Sequence, residues 1–249
     1  IKTHKYTKSL LGKEGLKNLK IGVVREGFQQ EGYQEEVNSK VRNALDYFKE
    51  FGAIVEEVSI PLHLEAPALL TPIYFEGGTQ TMMHGDGYGV SRSDLYSTSL
   101  MDFHRNWKVR ANELPPTVKL VTLLGTYIRK HHGSRYFGKS INLTRILRSA
   151  YDEKLSSYDL IAMPTTAAKA QVIPQPGASI TEVVQSALPL YLNGNTQPFN
   201  ATHHPAMAVP CGMSEGLPIS LMLIGKHFDE PTIYRAAHAF QESIDWKTI

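Results

Sequence analysis

Two hydrophobic periods alternate over residues 1–61. Lys20 to Val24, KIGVV, is a short β-branched run ending in polar residues, which predicts a strand. From Glu35 to Phe51, apolar residues fall at Val37, Val41, Ala44, Leu45 and Phe48. That spacing is the stripe of an amphipathic helix, and Gly52 stands where such a helix would stop. Ala53 to Pro61, AIVEEVSIP, predicts a second strand. Strand, helix, strand is a βαβ unit, so the two strands are expected to be parallel, with a right-handed crossover.

The pattern changes over residues 62–133. Pro67, Pro72, Pro115 and Pro116 interrupt it, and His84 to Asp94 is a Gly-rich loop. Helical spacing survives near Ala68 to Met83, Leu95 to Ala111 and Thr117 to His131, which predicts a helical insertion or cap. Residues 134–249 return to alternation. Ser134 to Tyr158 predicts one long helix, and Asp159 to Thr165, DLIAMPT, a buried strand running into a Pro-Thr-Thr loop. Residues 170–178 read as a Pro/Gly-rich loop, with a helix following to Leu192. The run MAVP and Ile219 to Gly225 predict two strands joined by turn residues, hence a hairpin. A final helix carries Pro231 in its first turn. No internal repeat is visible.

Composition narrows the class. The chain has 249 residues, 42% hydrophobic and 20% charged, with a net charge of +2. That is an ordinary globular composition, long enough for one sizeable core. The basic stretch from Lys2 to Lys20 includes Glu14 and reads as a solvated arm, so nucleic acid is not an expected partner. No apolar run reaches the roughly 18 residues a membrane helix needs, so no membrane partner is expected either. A lone cysteine forms no internal disulfide, which points to a reducing, cytoplasmic setting. The chain opens on Ile1 and passes from a short arm into a strand, which fits the second part of a longer polypeptide.

The densest chemistry lies in NTQPFNATHHPAMAVPCG, residues 195–212, with an adjacent His pair and the only Cys. A metal site needs three or four ligands at suitable spacing. Cys211 sits too far along a strand-like run to join His203 and His204, and neither C-x-x-C nor H-E-x-x-H occurs. No metal or cofactor is therefore expected. The absence of G-x-S-x-G argues against a hydrolase nucleophile elbow, and Cys211 reads as a buried core residue. Glu56 and Glu57 point to opposite sides of a strand and form no acid/base pair. The residues alone give an α/β protein without a self-contained catalytic constellation.

The same stretch resembles the C-terminal half of the amidase signature family, whose pattern is approximately N-T-x-x-x-N-x-T-G-x-P-A followed by a small residue, Val, Pro, any residue and Gly. LKIGVVREGF with GAIVEEVSIP, YDEKLSSYDLIAMPT and EGLPISLMLIGKHFDEPTIYRAAHAFQ match further blocks in order. HGSRYFGKSINLTRILRSAYD and GKHFDEPTIYRAAHAF look closest to bacterial amidases associated with nitrile hydratase. The resemblance implies a mixed sheet between helical layers and hydrolysis of small amides to acid and ammonia by a Ser nucleophile, a cis-peptide Ser and a Lys base. Those three groups belong to the family's N-terminal half, and EGGTQT (76–81) and HHGSRYFGKS (131–140) do not reproduce its Gly-Ser-rich loop. No residue of this chain is therefore assigned a catalytic role, and the chain alone is expected to be inactive.

The implied partners are a small amide, the N-terminal half of the same enzyme, and a second copy in a homodimer. A glutamine-hydrolysing amidotransferase subunit and a non-catalytic scaffold are the alternatives. The resemblance makes Tyr88, Arg92, Thr165, Phe199, Asn200, Thr202 and His203 the candidate substrate-binding or bracing residues. Asn200 and Thr202 are expected to hydrogen-bond a backbone turn, Phe199 and Thr165 to line an acyl pocket, and Tyr88 and Arg92 to close over it. Three positions depart from the family: His203 stands where Gly is usual, Ala208 where a hydroxyl is common, and Ser220 where Gly is common.

Overall fold

A computed structural model describes residues 5–10, 12–88, 95–192 and 194–249. The chain divides into two compact units, one of residues 1–67, 144–171 and 189–249, the other of residues 68–143 and 172–188.

The first unit is built on a five-stranded mixed sheet. Its strands are β1 (Lys20–Val24), β2 (Ile54–Val58), β3 (Leu160–Pro164), β4 (Ala206–Ser214) and β5 (Leu217–Gly225), in the order β2-β1-β3-β5-β4. β1 pairs parallel with both β2 and β3, and β5 pairs antiparallel with β3 and β4. The βαβ unit is thus present, with α1 (Glu35–Glu50) as its crossover. Val37, Val41, Ala44, Leu45 and Phe48, the predicted stripe, are all buried. β3 is buried along its whole length. The hairpin is longer than the sequence pattern indicates: β4 runs on to Ser214, and the turn is confined to Glu215 and Gly216, both at positive φ. Cys211 is the extra residue of a bulge between Pro210 and Gly212 on this edge strand, and it is buried. Pro210, which lacks an N–H, is tolerated there because edge strands and bulges leave donors unused.

Helix α8 (Glu230–Ser243) lies beside α1, with the Phe48 and Phe240 rings stacked at 5.1 Å. Pro231 occupies its first turn, where a missing N–H costs nothing. Leu147, Tyr151 and Leu155, on the C-terminal part of the long helix over residues 135–157, complete the core of this unit. The short α-helix at Gln197–Thr202 has no signal in the periodicity, because six residues carry fewer than two turns of pattern.

The second unit is helical. Numbered along the chain with those already described, the remaining helices are α2 (Ala66–Pro72), α3 (Thr98–His104), α4 (Pro116–His132), α5 (Arg135–Ser157), α6 (Ile180–Leu192) and α7, the short helix at Gln197–Thr202; this unit holds α3, α4 and the parts of α2, α5 and α6 within residues 68–143 and 172–188. The expected helix over 68–83 is not regular. Its ladder loses a donor at Pro72, and from Ile73 to His84 the chain is mostly π-helical, interrupted at Gly78. The stretch predicted from Leu95 likewise splits, into α3 and a 3-10 segment over Arg105–Glu113. α4 packs closely on the π-helical run. A Cβ on Gly125 would meet the Phe75 carbonyl oxygen at 2.1 Å and Thr79 Oγ1 at 2.3 Å. Thr79, fully buried, donates to Val121 O at 3.1 Å, and Arg129 pairs with the buried Glu76 at 3.3 Å. Among the described residues, no helix is long and apolar enough to cross a membrane.

Candidate functional site

The C-terminal ends of the parallel strands β1 and β3 converge on one polar network. Ligands in open α/β sheets characteristically bind outside these strand ends. After β1 the chain turns through Arg25–Phe28, so close to β3 that a Cβ on Gly27 would meet Met163 Cβ at 2.6 Å. After β3 it enters the Pro-Thr-Thr loop. Asn195, fully buried, joins the two: its Nδ2 donates to Gly27 O at 2.9 Å and to Pro164 O at 2.6 Å.

That use of Nδ2 fixes the rest of the network. Asn195 Oδ1 must accept, so His63 Nε2, 2.9 Å away, carries the imidazole proton. His63 Nδ1 then accepts from the Tyr151 hydroxyl at 2.7 Å. Burial pushes the His63 pKa down, against smaller opposing effects of the Asn195 hydrogen bond and the Glu26 charge. Burial also pushes the Tyr151 phenol well above its ordinary value. Both groups are therefore neutral at pH 7, and both are occupied in structure. Burial alone would raise the Glu26 carboxyl; hydrogen bonds from Ser59 Oγ at 2.6 Å and Ile60 N at 2.9 Å, with the Arg25 charge, outweigh it and hold the group below the usual carboxylate range.

The loop after β3 is anchored on both flanks. Thr165 N–H donates to Ser220 O at 3.0 Å, Lys169 N–H to Gln34 Oε1 at 2.9 Å, and Gln34 N–H to Ala167 O at 2.9 Å. Lys169 Nζ lies 2.7 Å from both Glu36 and Glu215. Within this braced loop, Thr165 Oγ1 is buried and has no hydrogen-bond partner. A buried hydroxyl without a partner is costly, and a ligand group would relieve it.

The other candidates fare differently. Phe199 is buried against Tyr151, ring centroids 5.0 Å apart, so it braces the core. Thr202 Oγ1 bonds His204 Nδ1 at 3.0 Å, a side chain and not the expected backbone turn. Asn200 is exposed on α7, and among the described residues no hydrogen bond of its side chain to a backbone turn is seen. Tyr88 is exposed and stacks near Tyr96 at 6.3 Å. Arg92 lies outside the described residues. His203 has φ 63°, the left-handed conformation that a glycine at this position would adopt freely. Its backbone N–H caps α7 by donating to Phe199 O at 2.9 Å. His203→Gly is therefore expected to leave thermal stability unchanged or raise it by up to about 1 kcal/mol, whereas His203→Val, β-branched, loses about 1–2 kcal/mol. Thermal unfolding of the two variants measures the contrast.

The Cys211 thiol is pushed up to about 12 by burial, partly offset by a backbone hydrogen bond from Leu221 and by the Lys40 charge, so it is no nucleophile at neutral pH. Thr202, whose hydroxyl touches an imidazole, is fully buried, and Lys169, beside Ser214, is held by two carboxylates. Neither contact is an open pair of nucleophile and base. Sequence reasoning misses His63, Tyr151 and Asn195 because their partners are 88 and 132 residues apart. The one available signal is the Asn at the head of the NT motif.

Neutral buried imidazoles also set a pH response. His63 and His204 both have lowered pKa values, burial being the first cause in each. The unfolded chain then takes up protons below the ordinary imidazole value near 6.5 that the folded chain does not, so this stability is full above that value and is lost as pH falls from it. The urea midpoint is expected to be lower at pH 5.5 than at pH 7.5, and less so in His63→Gln if that variant folds.

This fold has clear counterparts. Residues 3–234 match the family profile described as Amidase. The chain belongs to the amidase signature family. It is 36% identical over 228 residues to an enantioselective amidase from Rhodococcus rhodochrous, covering 91% of this chain and 44% of that protein. It is 34% identical over 252 residues to a glutamyl-tRNA(Gln) amidotransferase subunit from Methanosarcina barkeri, covering 98% of this chain and 49% of that protein. Among solved structures, a bacterial aryl acylamidase of the amidase signature family superposes with a TM-score of 0.69 at 18% identity, over 98% of this chain and 47% of the other. That likeness bears on the fold. The chain spans about half the length of these relatives.

Proposed function

We propose that this chain forms the C-terminal part of an amidase that hydrolyses small aliphatic or aromatic amides to carboxylic acid and ammonia. In this reading the Ser nucleophile, the cis-peptide Ser and the Lys base come from outside residues 1–249, and this chain supplies a pocket wall and its bracing. A cytoplasmic homodimer belongs to the same reading. The observation that carries it is the family match along nearly the whole chain, set against coverage of only about half of each relative. The hydroxyl–base contacts at Thr202 and at Ser214 are closed, which agrees with it. Within the helical unit, Leu100, Phe103, Val109 and Leu123 are 63–85% exposed, apolar surface of a kind a further segment would cover.

Ammonia release from acetamide, propionamide and benzamide is the test. The 249-residue chain alone is expected to release none. Turnover abolished by a single Ser or Cys substitution within the chain would overturn the reading. In this reading, once the chain is joined to a catalytic N-terminal segment of the family, the unpartnered Thr165 hydroxyl hydrogen-bonds the substrate; its lack of a partner in this chain supports that role. Thr165→Val is then expected to raise KM about fivefold to tenfold with kcat little changed, the effect of one lost hydrogen bond of about 1 kcal/mol.

A second reading has its own support. The amidotransferase relative covers 98% of this chain at nearly the same identity as the amidase. Under that reading the complete protein would hydrolyse glutamine and pass ammonia to a partner protein. Glutaminase activity that appears only when a second protein is added would reverse the ranking.

A further inference from the structure

The geometry points to a binding site for a divalent first-row transition metal ion, of the zinc class, formed by Asp152, His204 and His227. The three come from separate parts of the sheet unit. Asp152 lies on α5, His204 follows the left-handed turn at His203, and His227 follows β5. One ligand atom from each lies within 4.8 Å of the others. His204 Nε2 is 3.1 Å from Asp152 Oδ1, and the two imidazole rings lie 4.2 Å apart, inclined by 32°.

Each member offers one ligand atom. The His204 side chain is fully buried and the Asp152 side chain is 52% exposed, so the site has a closed floor and an open mouth. His227 Nε2 is buried and has no hydrogen-bond partner, an orphan that a cation or a water would satisfy. Thr202 Oγ1 lies 3.0 Å from His204 Nδ1. Without a metal, Asp152 can only accept, so Nε2 carries the proton and Nδ1 accepts from the Thr202 hydroxyl; a cation at Nε2 moves the proton to Nδ1, where Thr202 Oγ1 turns to accept it. An outer hydrogen bond that fixes the far nitrogen in this way is the usual support of a metal-bound imidazole.

Two imidazoles and one carboxylate suit a borderline cation and leave a fourth position for water, whereas magnesium and calcium prefer oxygen donors. Tetrahedral zinc places its ligand atoms roughly 3.3 Å apart. The His204–Asp152 pair, at 3.1 Å, already sits near that spacing, and the widest pair must close by at most roughly 1.5 Å to reach tetrahedral geometry. One charge opposes the site. The Arg148 guanidinium, which donates to Ala201 O at 3.3 Å, lies near enough to His204 to repel a bound cation. Affinity is therefore expected to be micromolar, not that of a closed structural zinc site.

The site departs from the expectation of no metal. That expectation weighs His204 only with neighbours in sequence, whereas Asp152 is 52 residues before it. Calorimetric titration of the metal-free protein with zinc chloride at pH 7.5 tests the inference. One zinc per chain is expected with Kd on the order of micromolar, with no heat from magnesium. Asp152→Asn and His227→Gln should each weaken binding about tenfold or more, the scale on which supporting contacts alone already act. Neither substitution removes the buried His204, and circular dichroism spectra matching the parent confirm the fold. No saturable zinc binding, or zinc binding that both variants leave unchanged, overturns the site.

Discussion

Asn195→Ala is expected to destabilise the sheet unit by about 3–5 kcal/mol, because its amide serves three buried groups at once: the carbonyls of Gly27 and Pro164 and the Nε2–H of His63. An unsatisfied buried polar group costs about 1–3 kcal/mol, and relaxation or an entering water recovers part of the total. Urea unfolding followed by near-ultraviolet circular dichroism reads the loss. Asn195→Asp sharpens the test. The shape is retained, yet a carboxylate would face two carbonyl oxygens with nothing to donate, so the isostere should be no better than alanine. An Asn195→Asp variant as stable as the parent would show that Nδ2 is not the atom aimed at the two carbonyls. In the proposed enzyme the same change would release the Pro-Thr-Thr loop, and Thr165 with it.

Gly125→Ala should be the second large effect, with the opposite sign to the usual rule. In an open helix this exchange stabilises by about 1 kcal/mol. Here the new methyl would overlap the Phe75 carbonyl oxygen and the Thr79 side chain at 2.1–2.7 Å. Backbone cannot yield as a flexible side chain does, so α4 must shift off the π-helical run, breaking the Thr79–Val121 hydrogen bond on the way. A loss of about 3 kcal/mol or more is expected. A thermal melt and protease sensitivity across residues 68–143 would register it. An unchanged melt would show that the two segments do not pack this closely.

The elements legible in the sequence are those whose pattern is local and long. The stripe of α1 repeats over four turns, and β3 is an unbroken apolar run. The segment over residues 73–84 departs from its sequence reading because periodicity assumes i→i+4 bonding, and beyond Pro72 the chain closes wider turns. The positive φ at His203 is reachable only through the family resemblance, since His alone does not announce it. The polar network is illegible for a different reason. Glu26, His63, Tyr151 and Asn195 each look ordinary, and their meaning lies in contacts that only the folded sheet creates.

The bulge at Cys211 carries a practical consequence. A single thiol sealed inside the β4–β5 pair, and kept protonated there, reacts with an alkylating reagent only in molecules whose strands have come apart. Labelling speed therefore clocks how often that pairing opens, and the mass gain is all-or-none because each chain offers one sulfur of this kind. The protein comes supplied with its own unfolding counter, needing no introduced probe.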